Sequence, residues 1–593
     1  PDLKPLDGPA GATQDFTDLH AWTEVYLPGA GWIGFDPTSG LLCAEGHLPV
    51  AATPHYHSAA PITGAVEAAE VDFSFEMRVS RIAEKPRVTF PFSDSAWLAL
   101  DELGHKVDAD LKDQDVRLTM GGEPTFVSAK DPDAPEWNTD ALGESKFCMA
   151  DSLARRLRNR FAPGGVLHHG QGKWYPGEPL PRWSIGCYFR IDGLPIWQDA
   201  SLQVAEEGPR PQHGAAEAVA FINALAECLG VGTTHLQPGY EDVWYYLWRE
   251  RRLPVNVDPL DSRLDNELER EGLARVFGQS LGSVVGYALT LVHEDGSGWR
   301  SGPWHLRREH LFLLPGDSPM GYRLPLDSLP WVAPGDRVDI RDPDPLAARP
   351  PLPPRVPWQA QPLGLQKGTE ANETPPPARG TSATGVARTA LCVEPRRGIL
   401  HVFLPPLSKA EAYLELTAAV EGTAAALSLP VRLEGYPPLM DARLEKFELT
   451  LDPGVLEVNV QPSHSWQGLC DISTELYEEA RQIGLSTEKF DLDGRHSGTG
   501  GGNHITLGGR RPADSPFLRR PDLLRSLLGY WNTRRCPICS PACSSAPPAK
   551  PHAWTKHGRM RWRNWKLPFS RSMRARLALR GWLTGCFATF SST

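Results

Sequence analysis

Ten residues, Arg495-His-Ser-Gly-Thr-Gly-Gly-Gly-Asn-His504, set three polar side chains around four glycines. Glycines at 498, 500, 501 and 502 allow a close backbone approach and offer unobstructed N–H groups to phosphate oxygens. His504 has the chemistry to ligate a divalent ion, and Arg495 and His496 have the charge to meet anionic oxygens. Two common phosphate motifs are excluded. No Lys-Ser/Thr follows the glycines, and extended Ile505-Thr-Leu507 stands where a dinucleotide fingerprint needs a helix. A plain glycine-rich turn competes with this reading, but three polar groups in so short a loop favour function.

Forty residues upstream, Val455-Leu-Glu-Val-Asn-Val-Gln461 alternates as a strand. Leu456, Val458 and Val460 share one face, and Val455, Glu457, Asn459 and Gln461 share the other. A carboxylate beside an amide suits a hard cation, which takes oxygen ligands. The same alternation also fits a strand with one face in water. The neighbouring glycine loop tips the balance toward a site.

These candidates need a framework. The turn Asp452-Pro-Gly454 makes Val455–Gln461 the second strand of a hairpin. Another hairpin joins 391–394 to 399–404 through Arg396-Arg-Gly398. Asp115-Val-Arg-Leu-Thr-Met120 reads as a half-buried strand ending in Gly121-Gly122. Leu153, Leu157 and Phe161 recur every fourth residue on a helix stopped by Pro163-Gly-Gly165. Further helices are expected over 215–229, 408–426 and 474–483. Mixed elements with clear hairpins predict an α+β fold with an antiparallel-rich sheet and flanking helices.

A chain of 593 residues exceeds one core, so several domains are expected. Pro- and Gly-rich sequence at 332–388 suggests a linker or insertion, disordered in part. The implied divisions are 1–66, a connector 67–114, a domain in two parts at 115–331 and 389–532, and a tail 533–593. The tail has 12 Lys and Arg and no Asp or Glu, while the whole chain carries −11, so the remainder holds about −23. An acidic body argues against nucleic acid as its partner. No apolar run is long enough to span a membrane, no signal peptide opens the chain, and ten scattered cysteines do not make a disulfide framework, so a cytoplasmic location is expected. A first residue of Pro suggests a fragment.

Longer runs carry a resemblance. They are Met120-Gly-Gly-Glu-Pro-Thr-Phe126, Gly170-Gln-Gly-Lys-Trp-Tyr-Pro-Gly-Glu178, Pro319-Met-Gly-Tyr-Arg-Leu-Pro325, Glu457-Val-Asn459, the Arg495–His504 loop, and Leu518-Arg-Arg-Pro-Asp-Leu-Leu-Arg525. From about Val116 to Asn532 the chain resembles the bacterial amidoligases often fused to a transglutaminase-like domain and grouped with glutamine synthetase and glutamate–cysteine ligase folds. The resemblance implies an ATP- and Mg²⁺- (or Mn²⁺-) dependent carboxylate–amine ligase. Such enzymes make an amide or peptide-like bond through an acyl phosphate, from small carboxylate and amine or peptide substrates. It assigns metal ligation to Glu123, Glu457 and His504, with Asn459 and Glu434 as further candidates. Phosphate contact falls to Lys173, Arg495, Gly498, Gly500, Gly501, Arg519 and Arg520, with Arg495 also catalytic. Glu123 could equally begin a turn, Lys173 could be a solvated loop lysine, and both arginines could flank an exposed helix start.

The first segment carries a second resemblance. Asp18-Leu-His-Ala-Trp22 and Gly31-Trp-Ile-Gly-Phe-Asp-Pro-Thr38 look like the His and Asp strands of transglutaminase-like cysteine peptidases. That family would make His20 the base and Asp36 its orienting carboxylate. Its nucleophilic Cys should lie upstream of this chain, and Cys43 does not match that place. A cysteine peptidase or acyltransferase is therefore the alternative reading, incomplete here. In the tail, Cys536, Cys539, Cys543, His552 and His557 could suggest zinc, but a change of frame or a junction giving basic, unstructured sequence accounts for them more simply.

Overall fold

Turn chemistry fixes the two central hairpins. At the first turn Arg397 has φ 49° and Gly398 φ 80°, the paired positive values that a two-residue hairpin turn requires. A Cβ on Gly398 would stand 2.1 Å from the Pro211 carbonyl oxygen, so close packing as well as conformation selects glycine. At the second, Gly454 has φ 75°.

The computed structural model describes residues 21–28, 31–36, 41–43, 51–60, 63–70, 72, 74, 93–172, 182–208, 211–252, 255, 276–278, 282–306, 310–337, 340–355, 375–490, 496–499 and 504–533. Chain contacts divide it into two units. The first takes in residues 1–91, 487–500 and 538–549. Its first described strands are β1 (Thr23–Leu27), β2 (Gly31–Asp36) and β3 (Leu41–Cys43), an antiparallel sheet in that order.

The second unit holds β4 (Thr119–Glu123), β5 (Thr125–Ser128), β6 (Val166–Gln171), β7 (Trp183–Arg190), β8 (Leu236–Tyr240) and β9 (Val284–Thr290). It continues with β10 (Val292–Glu294), β11 (Gly298–Arg300), β12 (Leu311–Phe312), β13 (Ala390–Arg396) and β14 (Ile399–Leu404). Then come β15 (Val431–Gly435), β16 (Leu444–Asp452), β17 (Val455–Asn459) and β18 (Leu485–Ser486). A hairpin of β19 (Glu488–Phe490) and β20 (His496–Gly498) belongs to the first unit, and β21 (His504–Gly508) to the second.

Twelve strands form one sheet in the order β12-β8-β9-β13-β14-β15-β6-β7-β16-β17-β5-β18. Pairing is antiparallel except at β12–β8, β14–β15 and β15–β6. The class is therefore mixed helix and sheet, mostly antiparallel. Its cores alternate sides. Helices α3 (Ala215–Cys228) and α5 (Ala410–Leu427) pack on Leu391, Val393, Val402, Val431 and Leu433 of the central strands. Helices α2 (Glu144–Phe161) and α6 (Trp466–Gln482) pack on Ile185, Leu449, Leu456 and Val458, on the opposite face of β7, β16 and β17. The two remaining helices of note are α1 (Asp94–Asp113) and α4 (Val243–Glu250).

Several boundaries differ from the expected ones. The connector contains α1, twenty residues long and without a buried side chain, which leaves no buried stripe to read. The strand expected at 115–120 begins at Thr119, because Asp115 has φ 52° and interrupts the extended path. Helix α6 starts at Trp466 and not near 474, since the Ser465 side chain caps it by accepting from the Gly468 N–H. Between 332 and 388 the described residues are irregular yet packed. Leu352 is buried, Arg355 pairs with Glu421, and Trp304 donates to the Ala387 carbonyl. Residues 356–374 and the tail beyond Thr533 lie outside the described residues. Among the described residues no helix is long and apolar enough to cross a membrane.

Candidate metal centre

Three strands bring three ligand-type side chains together. β4 and β21 pair antiparallel with Glu123 opposite His504. β17 lies on the other side of this ribbon's start, where Val458 N–H donates to the Pro124 carbonyl and Val460 N–H to that of Gly122. Glu457 sits opposite Thr125 of β5. The result is that one ligand atom each from Glu123, Glu457 and His504 lies within 4.8 Å of the others. Both carboxylates are buried, while the His504 side chain is 43% exposed and faces the approach from solvent. Its Nδ1 stands 2.9 Å from Glu123 Oε2.

This donor set fits a divalent cation. Three ligands of one ion at about 2.1 Å lie roughly 3–4 Å apart, so the trio has to close by about an ångström to share one ion. Two carboxylates suit Mg²⁺ or Mn²⁺, and the imidazole favours Mn²⁺. Asn459 plays a supporting part: its Nδ2 donates to Glu457 Oε1 at 2.9 Å and so orients that carboxylate.

Around Glu457 the sheet carries a row of oxygen groups. Ser184, Thr450, Glu457 and Thr125 are direct cross-strand partners on β7, β16, β17 and β5, and all four are buried. The Thr450 hydroxyl meets no partner among the described residues. One step along, Glu448 opposes Asn459, and its carboxylate takes a 2.7 Å contact from Lys446 Nζ. These residues escape the motif reading, although Lys446, Glu448 and Thr450 alternate with Phe447, Leu449 and Leu451 as plainly as Glu457 does with its neighbours.

Of the other expected site residues, Glu434 falls elsewhere. Glu434 is buried on β15, where it pairs with Arg396. Register carries Glu434 through His169, Ile185 and Leu449 to Val458, so it shares the face opposite Glu457. It is not in reach of the trio. Arg519 is engaged by Asp115 and Arg520 by Asp522, which occupy their guanidinium groups. Gly498 is the last residue of β20 in the first unit, whereas His504 belongs to the second. Asp36 is buried at the end of β2. His20, Lys173, Arg495, Gly500 and Gly501 lie outside the described residues. A groove of about 940 Å³ beside α1 is lined by Leu103, Val107, Met120 and Trp466 together with Lys112 and Arg117, and none of the trio lines it.

Residues 67–540 match a family model described as "Putative amidoligase enzyme (DUF2126)". The chain belongs to this family. The matched span contains the trio, the oxygen row and all twelve strands of the large sheet, and it also takes in the connector with α1. No curated protein and no solved structure matches the chain. For a member of this family, two buried carboxylates and an imidazole drawn together are the chemistry to explain.

Proposed function

We propose that this amidoligase couples ATP hydrolysis to amide or peptide-like bond formation, with Glu123, Glu457 and His504 holding Mg²⁺ or Mn²⁺. One observation carries the reading: three strands converge two buried carboxylates and a half-exposed imidazole within 4.8 Å. Carboxylates so close repel each other, and a cation between them offsets that repulsion. When bound, the metal offsets charge on the transferring phosphoryl group and the substrate carboxylate.

The protein's own groups then have distinct tasks. Asn459 fixes the Glu457 carboxylate, and Glu123 fixes the His504 ring. The Ser184, Thr450 and Thr125 hydroxyls offer donors to anionic oxygens beside Glu457. Phosphoryl transfer gives an acyl phosphate and ADP; attack by the amine then forms the amide and releases phosphate. The balance requires one ATP per bond.

The test is ADP release by the purified chain with ATP, MnCl₂ or MgCl₂, and mixed amino acids or peptides. Metal- and amine-dependent ADP release, lost in Glu457→Ala, is expected. No ADP under any mixture, with nucleotide affinity unchanged in Glu457→Ala, would sink the assignment.

A further inference from the structure

The opposite face of the sheet carries a second buried polar group. Glu394 and Arg396 of β13, His401 of β14, and Arg432 and Glu434 of β15 lie on one face, with Glu394 opposite His401 and His401 opposite Arg432. Helix α2 adds Asp151 and Arg155, and β6 adds His169, whose Nε2 is 3.8 Å from Asp151 Oδ1. Most of these charges are matched. Arg396 pairs with Glu434 and stands 3.4 Å from Glu394, and Asp151 binds Arg155.

Arg396 Nε and His169 Nε2 make no hydrogen bond, but each has a carboxylate oxygen within 4 Å; Arg432 and Glu434 are matched less well. Arg432 is 7% exposed and uses Nη1 for Glu206 at 2.6 Å, yet its Nε and Nη2 meet no acceptor. Those two N–H groups form the edge of the guanidinium that grips a carboxylate bidentately. Two residues along the same strand face, Glu434 is 3% exposed and its Oε1 meets no donor. Buried groups of this kind cost free energy unless something satisfies them. Here the unmet set is a guanidinium fork beside a carboxylate oxygen.

Charge decides what fits. Four guanidiniums, Arg155, Arg158, Arg396 and Arg432, already face four carboxylates, Asp151, Glu206, Glu394 and Glu434, so the group is balanced. A bare anion on the fork would upset that balance and leave Glu434 Oε1 unmet. A zwitterion adds no net charge and supplies both the acceptor and the donor. His169 and His401 are kept neutral by burial, so neither imidazole supplies the balancing positive charge. We propose that this face binds the head group of a free α-amino acid, its carboxylate on the Arg432 fork and its ammonium on Glu434 Oε1. The Arg396 side chain, 27% exposed, borders the group toward solvent. Because Glu434 and Glu457 lie on opposite faces, this site is separate from the metal centre and stands whether or not the metal reading does.

Calorimetric titration of the full chain with glycine, L-alanine, L-glutamate and L-lysine tests it, with acetate, inorganic phosphate and methylammonium as partial head groups. Saturable binding of at least one amino acid is expected, about tenfold or more tighter than any partial group. Arg432→Lys and Glu434→Gln should each weaken it about tenfold or more while Mn²⁺ binding is unchanged. Should Arg432→Lys fail to fold, Glu434→Gln decides alone. The proposal is overturned if no amino acid binds, if acetate or phosphate binds as tightly, or if Glu434→Gln keeps full affinity.

Discussion

Replacing Glu457 by Gln separates the cost of the metal centre from its use. The substitution keeps the shape of a side chain that is 4% exposed, and its amide oxygen still accepts from Asn459. What disappears is one of two carboxylates whose ligand atoms lie within 4.8 Å. At an effective dielectric near 20, two unit charges at that distance repel by about 3 kcal/mol. The His504 ring on Glu123 and the further contacts of both carboxylates take back part of this, so the relief is smaller than that figure. The metal-free variant should therefore unfold at a higher temperature than the parent. Losing a charged ligand should weaken Mn²⁺ binding about 100-fold, which removes about 2.7 kcal/mol of ligand-linked stabilisation where the metal is in excess. Thermal unfolding in EDTA and in excess MnCl₂ reads both effects, and their signs are opposite. A variant that melts at or below the parent in EDTA, with an undiminished metal-induced rise, would refute the reasoning.

Two further predictions concern the frame around the sites. Lys146 is fully buried at the start of α2, and its Nζ donates to the carbonyls of Glu136 at 2.6 Å, Asp140 at 3.1 Å, Ala141 at 3.3 Å and Asp452 at 2.6 Å. Lys146→Met keeps the length but removes these donors and unties the β16–β17 turn, so denaturant unfolding should show a loss of about 3 kcal/mol. Glu434 titrates abnormally: burial pushes its carboxyl up from 4.5 to about 7, with Arg396 opposing. The folded state therefore takes up a proton between those values, and this contribution is full below pH 4.5 and lost as pH rises through about 7. The stability difference between parent and Glu434→Gln should fall across that window by up to about 3 kcal/mol, measured by denaturant unfolding. Burial lowers His168 to about 4, a contribution lost as pH falls below 6.5, but it is common to both proteins and cancels in the difference.

Local chemistry explains which elements the sequence makes legible. Arg397-Gly398 and Pro453-Gly454 announce their hairpins because the turns need positive φ at specified places. Leu153 and Leu157 announce α2 because both are fully buried at helical spacing. By contrast β6 and β7 carry His168-His-Gly170 and Trp183-Ser-Ile-Gly186, where both faces meet protein and no clean alternation survives. Strand order is less legible still, since β14, β15 and β6 meet through parallel pairings between residues far apart in sequence. At the site, Glu123, Glu457 and His504 are readable as residue types, and the structure brings them together. Glu434 has the same chemistry and the same strand context, yet register sends it to the other face.

That difference follows from how the sheet is covered. Helices α3 and α5 cover one face over its central strands, and α2 and α6 cover the opposite face over β7, β16 and β17. Along β15 the apolar residues Val431 and Leu433 point to the first pair, which turns Arg432 and Glu434 to the other side. Along β17 the apolar residues Leu456 and Val458 point to the second pair, which turns Glu457 and Asn459 the opposite way. Two strands with the same alternation therefore display their polar residues on different faces of one sheet. In an antiparallel sheet with one wet side those residues would be solvated, yet here Arg432, Glu434 and Glu457 are all buried. Burying charge on both faces is expensive unless each group is matched. The sheet thus sets two neighbouring carboxylates where a cation fits and, on its other face, a guanidinium fork beside a carboxylate oxygen that the described residues leave unmet, where a zwitterion fits.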